Sequence, residues 1–84
     1  MIFKYTKLFK ANYEIAVKVG FSDKIDELLR IVKNNPFQTP PPYEKLGGCI
    51  ENKYSRRINK QHRLVYVVEK DCIIFDRCWG HYDD

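Results

Sequence analysis

Histidine, cysteine and long apolar runs are all scarce in this sequence. The two histidines, His62 and His81, and the three cysteines, Cys49, Cys72 and Cys78, fit no familiar zinc spacing. The odd cysteine count, without a Cys-x-x-Cys pair, argues against a disulfide framework, so the thiols read as reduced packing residues. The longest apolar runs, Leu64–Val68 and Cys72–Phe75, fall far short of the roughly 20 residues of a membrane-spanning helix. No membrane partner is expected. Met1–Lys10 carries Lys4, Lys7 and Lys10 among aromatics and has no apolar signal core, so a cytoplasmic protein is expected. Acid is in deficit: 11 Asp and Glu against 15 Lys and Arg give a net charge of +4. An 84-residue chain without repeats is one domain, spanning 1–84. At this size about 60% of the unfolded surface is buried, which excludes multidomain machinery and large cofactor folds.

What is present divides into a helical first half and a strand-rich second half. Ile2–Tyr5 alternates weakly, as a short first strand does. Thr6 is a candidate N-cap, and Phe9, Tyr13, Ala16 and Val17 then share one helical face until Gly20. A second helix starts at Ser22. Asp23, Asp26 and Glu27 suit its N-terminal end, and Ile25, Leu28, Leu29 and Val32 form an apolar stripe ending at Asn34-Asn35-Pro36. Tyr54–Asn59, His62–Glu69 and Cys72 to about Trp79 are β-branched and aromatic runs joined by connections short enough only for hairpins. The expected fold is therefore α+β, with two N-terminal helices packed on one face of a twisted antiparallel sheet and the other face open to a ligand. Between the halves, Pro36, Pro40, Pro41 and Pro42 make a stiff strut.

The positive charge is concentrated. Lys53, Arg56, Arg57, Lys60 and Arg63 fall within eleven residues that contain no acid. On a hairpin this forms a basic stripe with interleaved aromatics, the footprint of a phosphate backbone and equally of a solvated face. Arg63 shares a strand side with Val65 and Val67, and His81 shares one with Trp79 and Arg77 if the last strand runs unbroken. Glu44 directly follows the strut, which holds it at the sheet edge at little entropic cost. A carboxylate, an arginine, a histidine and a basic groove have the composition of a metal-free phosphoryl-transfer site able to cleave RNA.

Four stretches resemble a known family. Pro-Tyr-Glu-Lys-Leu at 42–46, Tyr-Ser-Arg-Arg-Ile-Asn at 54–59, Gln-His-Arg-Leu-Val-Tyr at 61–66 and His81-Tyr82 are similar to the YoeB/Txe toxins of the RelE-like superfamily. The resemblance spans essentially the whole chain and implies a RelE-like, microbial ribonuclease-like fold. It also implies an endoribonuclease that enters the ribosomal A site, cuts messenger RNA and is held inactive by an antitoxin of the YefM/Axe kind. The implied partners are that antitoxin, mRNA and the ribosome with its rRNA, with a homodimer left open and no cofactor or metal. By position the resemblance assigns catalytic roles to Glu44, Arg63, His81 and Tyr82 and matches Arg57 to a basic residue of the active site; Arg57, Arg56, Lys53 and Lys45 are the candidate RNA or phosphate contacts. Residues 47–52 depart from the family's best-known member, which carries a lysine and a histidine there; Lys45 and Lys53 are the two candidates to replace that lysine. Asp83 and Asp84 follow the His-Tyr pair.

The implied chemistry is attack of a ribose 2′-hydroxyl on its own 3′-phosphate, giving a 2′,3′-cyclic phosphate and a free 5′-hydroxyl. Glu44 takes the proton, His81 returns one to the leaving oxygen, Arg63 stabilises the charged transition state and Tyr82 stacks on or orients a base. A glutamate is a weak base, so its activation must come from desolvation or from alignment by substrate and ribosome; His62 is the rival base. Two other classes remain beside this one: a non-catalytic, ParE-like gyrase-binding toxin and a plain RNA-binding module.

Overall fold

The computed structural model describes residues 1–47 and 52–80. In chain order the elements are β1 (Ile2–Tyr5), α1 (Lys7–Val19), α2 (Ser22–Asn34), β2 (Glu44–Lys45), β3 (Lys53–Arg57), β4 (Arg63–Val68) and β5 (Cys72–Arg77). The fold is α+β.

Both helices are bounded by identifiable chemistry. Thr6 caps α1, its hydroxyl accepting the Phe9 N–H at 3.0 Å while donating to the Asp76 carbonyl, so one side chain starts the helix and ties it to β5. At the other end Gly20 takes φ +86°, a conformation glycine adopts freely, and its N–H closes back onto the Ala16 and Val17 carbonyls. The buried face of α1 is Phe9, Asn12 and Ala16, with Tyr13 half-buried; Val17, which the apolar periodicity assigns to that face, is exposed. Asn12 belongs there because its Oδ1 accepts the buried Cys78 N–H at 3.2 Å. In α2, Ile25, Leu28, Leu29 and Val32 are buried as their spacing predicts.

The sheet has the order β1-β5-β4-β3-β2. The short connections predict antiparallel pairing, and β3, β4 and β5 pair in that way. β1 instead runs parallel to β5, from Ile2 opposite Cys72 to Tyr5 opposite Phe75, because no hairpin turn links the two and the helices intervene. Tyr54, Leu64, Tyr66, Ile73 and Phe75 point towards the helices and form the core with Phe9, Ala16, Ile25, Leu28, Leu29, Val32, Ile58 and Cys78. Among the described residues no helix is long and apolar enough to cross a membrane.

Two boundaries bear on the site. β3 ends at Arg57 rather than Asn59, because the Asn59 side chain accepts the Gln61 and His62 N–H groups at 2.8 and 2.7 Å and turns the chain. β5 ends at Arg77 and does not run on to Trp79. Opposite the Val65-Tyr66 step it carries an extra residue, Asp76, since Val65 faces Arg77 while Tyr66 faces Phe75. With the strand stopped there, period-2 reasoning no longer reaches position 81.

Candidate active site

The face turned away from the helices carries alternate residues of β3 and β4: Lys53, Ser55 and Arg57 on one strand, Arg63, Val65 and Val67 on the other. β2 adds Glu44 to it, since Glu44 pairs with Ser55 and Ser55 pairs with Val65. Glu44, Ser55 and Val65 thus stand side by side across three strands, with Arg63 one pleat further along β4.

Arg63 is the pivot. Its Nη1 donates to Ser55 Oγ at 3.3 Å and lies 3.6 Å from Glu44 Oε1. The Arg63 side chain is 18% exposed and that of Glu44 is 64% exposed, so the arginine is held by its surroundings and the carboxylate meets it from solvent. Such half-exposed pairs contribute only about 0–1 kcal/mol, and an entering anion can take the guanidinium over at small cost. Arg57 stands directly opposite Arg63 in register. Two like charges at opposed positions are unfavourable unless an anion lies between or above them. Together with Pro42, Glu44 and Ser55, the two arginines line a cleft of about 200 Å³. A larger hollow of about 590 Å³ lies between β1 and α2, lined by residues including Phe3, Leu29 and Lys33, and none of the predicted site residues borders it.

The structure therefore brings Glu44, Arg57 and Arg63 together. His81 and Tyr82 lie outside the described residues. Lys53 shares the face turned away from the helices but is buried there, and its Nζ is 3.3 Å from Asp76 Oδ2, the bulge residue. Lys45 pairs with Tyr54, a core residue, and so leaves β2 on the side opposite Glu44.

Arg56 is a correction. The basic run places it among the phosphate contacts, yet it is 1% exposed on the helix side of β3. Its Nη2 donates to the Pro36 carbonyl at 3.0 Å, its Nη1 donates to the Pro41 carbonyl, and its Nε donates to the Tyr66 hydroxyl at 3.1 Å. Tyr66 in turn donates to Pro36 at 2.9 Å, and the guanidinium lies over the Tyr43 ring. A buried cation is tolerated when its donors are met in this way. Arg56 binds both ends of the proline strut that delivers Glu44, so its charge serves placement.

His62 has a defined position as well. Its ring stacks on Trp79 with centroids 3.5 Å apart and planes at 10°, and its Nδ1 accepts the Gly80 N–H at 2.8 Å. A nitrogen engaged in accepting that bond is not available as a base. Ser55 and Trp79 carry no role in the sequence reading; Ser55 was legible as the residue two positions before Arg57 on the same strand side.

Comparison with known proteins gives the family and the fold. The family described as "YoeB-like toxin of bacterial type II toxin-antitoxin system" matches residues 9–82. The toxin YoeB of Escherichia coli K12 is 37% identical over 59 residues, 70% of each chain. A YoeB/ParE toxin from Agrobacterium tumefaciens superposes with a TM-score of 0.88 at 30% identity, covering 98% of this chain and 100% of that one. YoeB of Staphylococcus aureus in its complex with YefM gives a TM-score of 0.81 at 30% identity over 98% of both chains, and a YoeB dimer from Staphylococcus aureus gives 0.84 at 30% identity, again over 98% of both chains.

Proposed function

Because this chain belongs to the YoeB-like toxins of bacterial type II toxin–antitoxin systems, we propose that it is an endoribonuclease that cuts messenger RNA in the ribosomal A site and so stops translation. The observation that carries the reading is the cleft in which Arg57 and Arg63, opposed in register, meet the Glu44 carboxylate. Two cations and one anion leave the cleft attractive to a phosphodiester, and a carboxylate beside that phosphate is the base the reaction needs.

In the proposed mechanism the scissile phosphate displaces Glu44 from Arg63. The guanidinium fork then holds two phosphate oxygens and stabilises the extra charge of the five-coordinate transition state. Glu44, released but held in place by the strut, takes the proton of the 2′-hydroxyl as that oxygen attacks phosphorus. The 5′-oxygen leaves with a proton from His81, and the products are a 2′,3′-cyclic phosphate and a 5′-hydroxyl. Tyr82 orients the base. The proton balance closes on the chain's own side chains, so no metal enters the scheme. Alignment of the released carboxylate on the 2′-hydroxyl by the bound substrate supplies the activation that a weak carboxylate base needs. A target on the ribosome places the protein in the cytoplasm, and a YefM-like antitoxin covering the basic cleft would silence it.

The test is primer extension on mRNA from ribosomes programmed in vitro, with and without the purified protein, followed by analysis of the new ends. Ends appearing only with ribosomes and carrying a cyclic phosphate support the reading. Intact mRNA, together with gyrase-dependent DNA breaks, would replace it with a ParE-like action.

A further inference from the structure

We propose that His62 is a positioning residue that fixes the departure point of the chain segment carrying His81, acting through the Gly80 amide and the Trp79 ring. The inference rests on the nuclease reading and deepens it.

The strand that would carry position 81 into the site stops at Arg77, so sheet pairing does not set where the chain goes next. Three contacts do so instead. His62 Nδ1 accepts the Gly80 N–H at 2.8 Å, the Gly80 carbonyl accepts the Arg63 N–H at 3.3 Å, and the Trp79 indole stacks on the imidazole. The other face of the arrangement is also secured, with Trp79 packed against Phe21 at 5.6 Å between centroids. Gly80 takes φ +104°, and a Cβ built there meets nothing within 4 Å, so glycine is needed for the turn and not for space. The histidine is itself aimed: Asn59 Oδ1 accepts its N–H at 2.7 Å, and the His62 carbonyl accepts the Ile58 N–H at 2.9 Å.

Two features make this more than packing. The clamp sits one residue before Arg63, so the residue that holds Gly80 and the residue that holds the phosphate are neighbours on one strand start. The hydrogen bond also requires Nδ1 without a proton, which places the ring proton of neutral His62 on Nε2. A packing ring needs neither. Misplacement of a reacting group by about 1 Å costs on the order of 10²-fold in rate.

Two variants separate the roles. His62→Phe keeps the stack on Trp79 and removes the acceptor; His62→Asn gives up the ring and keeps an acceptor near the Nδ1 position. Single-turnover mRNA cleavage on programmed ribosomes should fall by roughly 10²-fold in the Phe variant with the ribosome concentration at half-saturation unchanged, and the Asn variant should recover most of the rate. In parallel, the ¹⁵N-labelled protein should show a slowly exchanging Gly80 amide in the wild type and the Asn variant, and a fast one in the Phe variant. Equal cleavage by the Phe variant and the wild type overturns the positioning role, as does Gly80 protection that ignores the acceptor. Loss of cleavage in both variants with Gly80 still protected in the Asn variant shows that the acceptor does not carry the rate and also overturns it. A wild type that leaves mRNA intact while its Gly80 amide is protected refutes the nuclease reading, and the role in catalysis with it.

Discussion

Arg63 and Glu44 meet at 3.6 Å across an intervening strand, one from β4 and one from the two-residue edge strand β2. Neither residue is near the other in sequence, and only the pairing of β2 and β4 on either side of β3 brings them together. Glu44→Gln removes the proposed base while keeping its shape. Single-turnover cleavage should drop by about 10²–10⁴-fold. Because the ion pair is half-exposed, the urea midpoint should move by no more than about 1 kcal/mol equivalent. A variant that cuts at the wild-type rate removes Glu44 from the mechanism.

Arg63→Lys is the complementary test. Lysine preserves the charge but offers a single ammonium where the proposed transition state needs a fork, and it does not reproduce the bond to Ser55 Oγ at 3.3 Å. RNA binding measured at low salt should persist, since affinity follows phosphate charge. Cleavage should fall by about 10²–10³-fold, the usual loss when one oxyanion donor is misplaced. Equal losses of binding and cleavage would mean that Arg63 only attracts RNA.

Much of this was legible in the sequence. The apolar stripe of α2, the Thr6 and Gly20 caps and the β3-β4-β5 hairpins follow from period and turn chemistry, which are local. Arg63 falls on the side of Val65 and Val67 because alternate strand residues do, while its position opposite Arg57 comes from the β3–β4 register. What escaped depends on non-local packing. Arg56 reads as one more cation in a basic run, and only its placement against Pro36, Pro41 and Tyr66 turns it inward. The extra residue Asp76 in β5 is invisible to alternation, yet it receives Lys53 and ends the parity argument for the last strand. Asn12 lies outside the apolar stripe of α1, and its burial follows from the non-local Cys78 amide it accepts.

The Arg56 network should matter for both stability and rate. Tyr66→Phe deletes the hydroxyl that accepts from Arg56 Nε and donates to the Pro36 carbonyl, leaving one buried partner on each side short of a bond. The expected loss is about 1–3 kcal/mol in urea unfolding. Because the same network anchors the strut before Glu44, cleavage should fall further than the folded fraction explains, with RNA affinity unchanged. A rate that tracks the folded fraction alone would confine Arg56 and Tyr66 to stability.

Cys78 links the fold to alkaline pH. It is fully buried between α1 and β5, its thiol lies 3.7 Å from the Phe9 carbonyl, and burial pushes its pKa up from 9.0 to about 12. The folded state therefore keeps a proton that the unfolded chain releases above about pH 9. Stability from this thiol is complete below the unfolded pKa and is lost as the pH rises towards 12, because the unfolded state then binds fewer protons than the folded one. Tyr13, raised to about 12 first by its hydrogen bond to Asp26, acts in the same direction, but that bond is exposed to solvent, so its share is screened. In a Cys49→Ser, Cys72→Ser background, Cys78 should react with a thiol reagent only as fast as the protein unfolds. Urea midpoints should fall between neutral pH and about pH 10 with a slope of up to about 1.4 kcal/mol per pH unit, and Cys78→Ser should flatten most of that slope. Fast labelling in the folded state, or an unchanged slope in the serine variant, would show that the thiol is not sealed in the core.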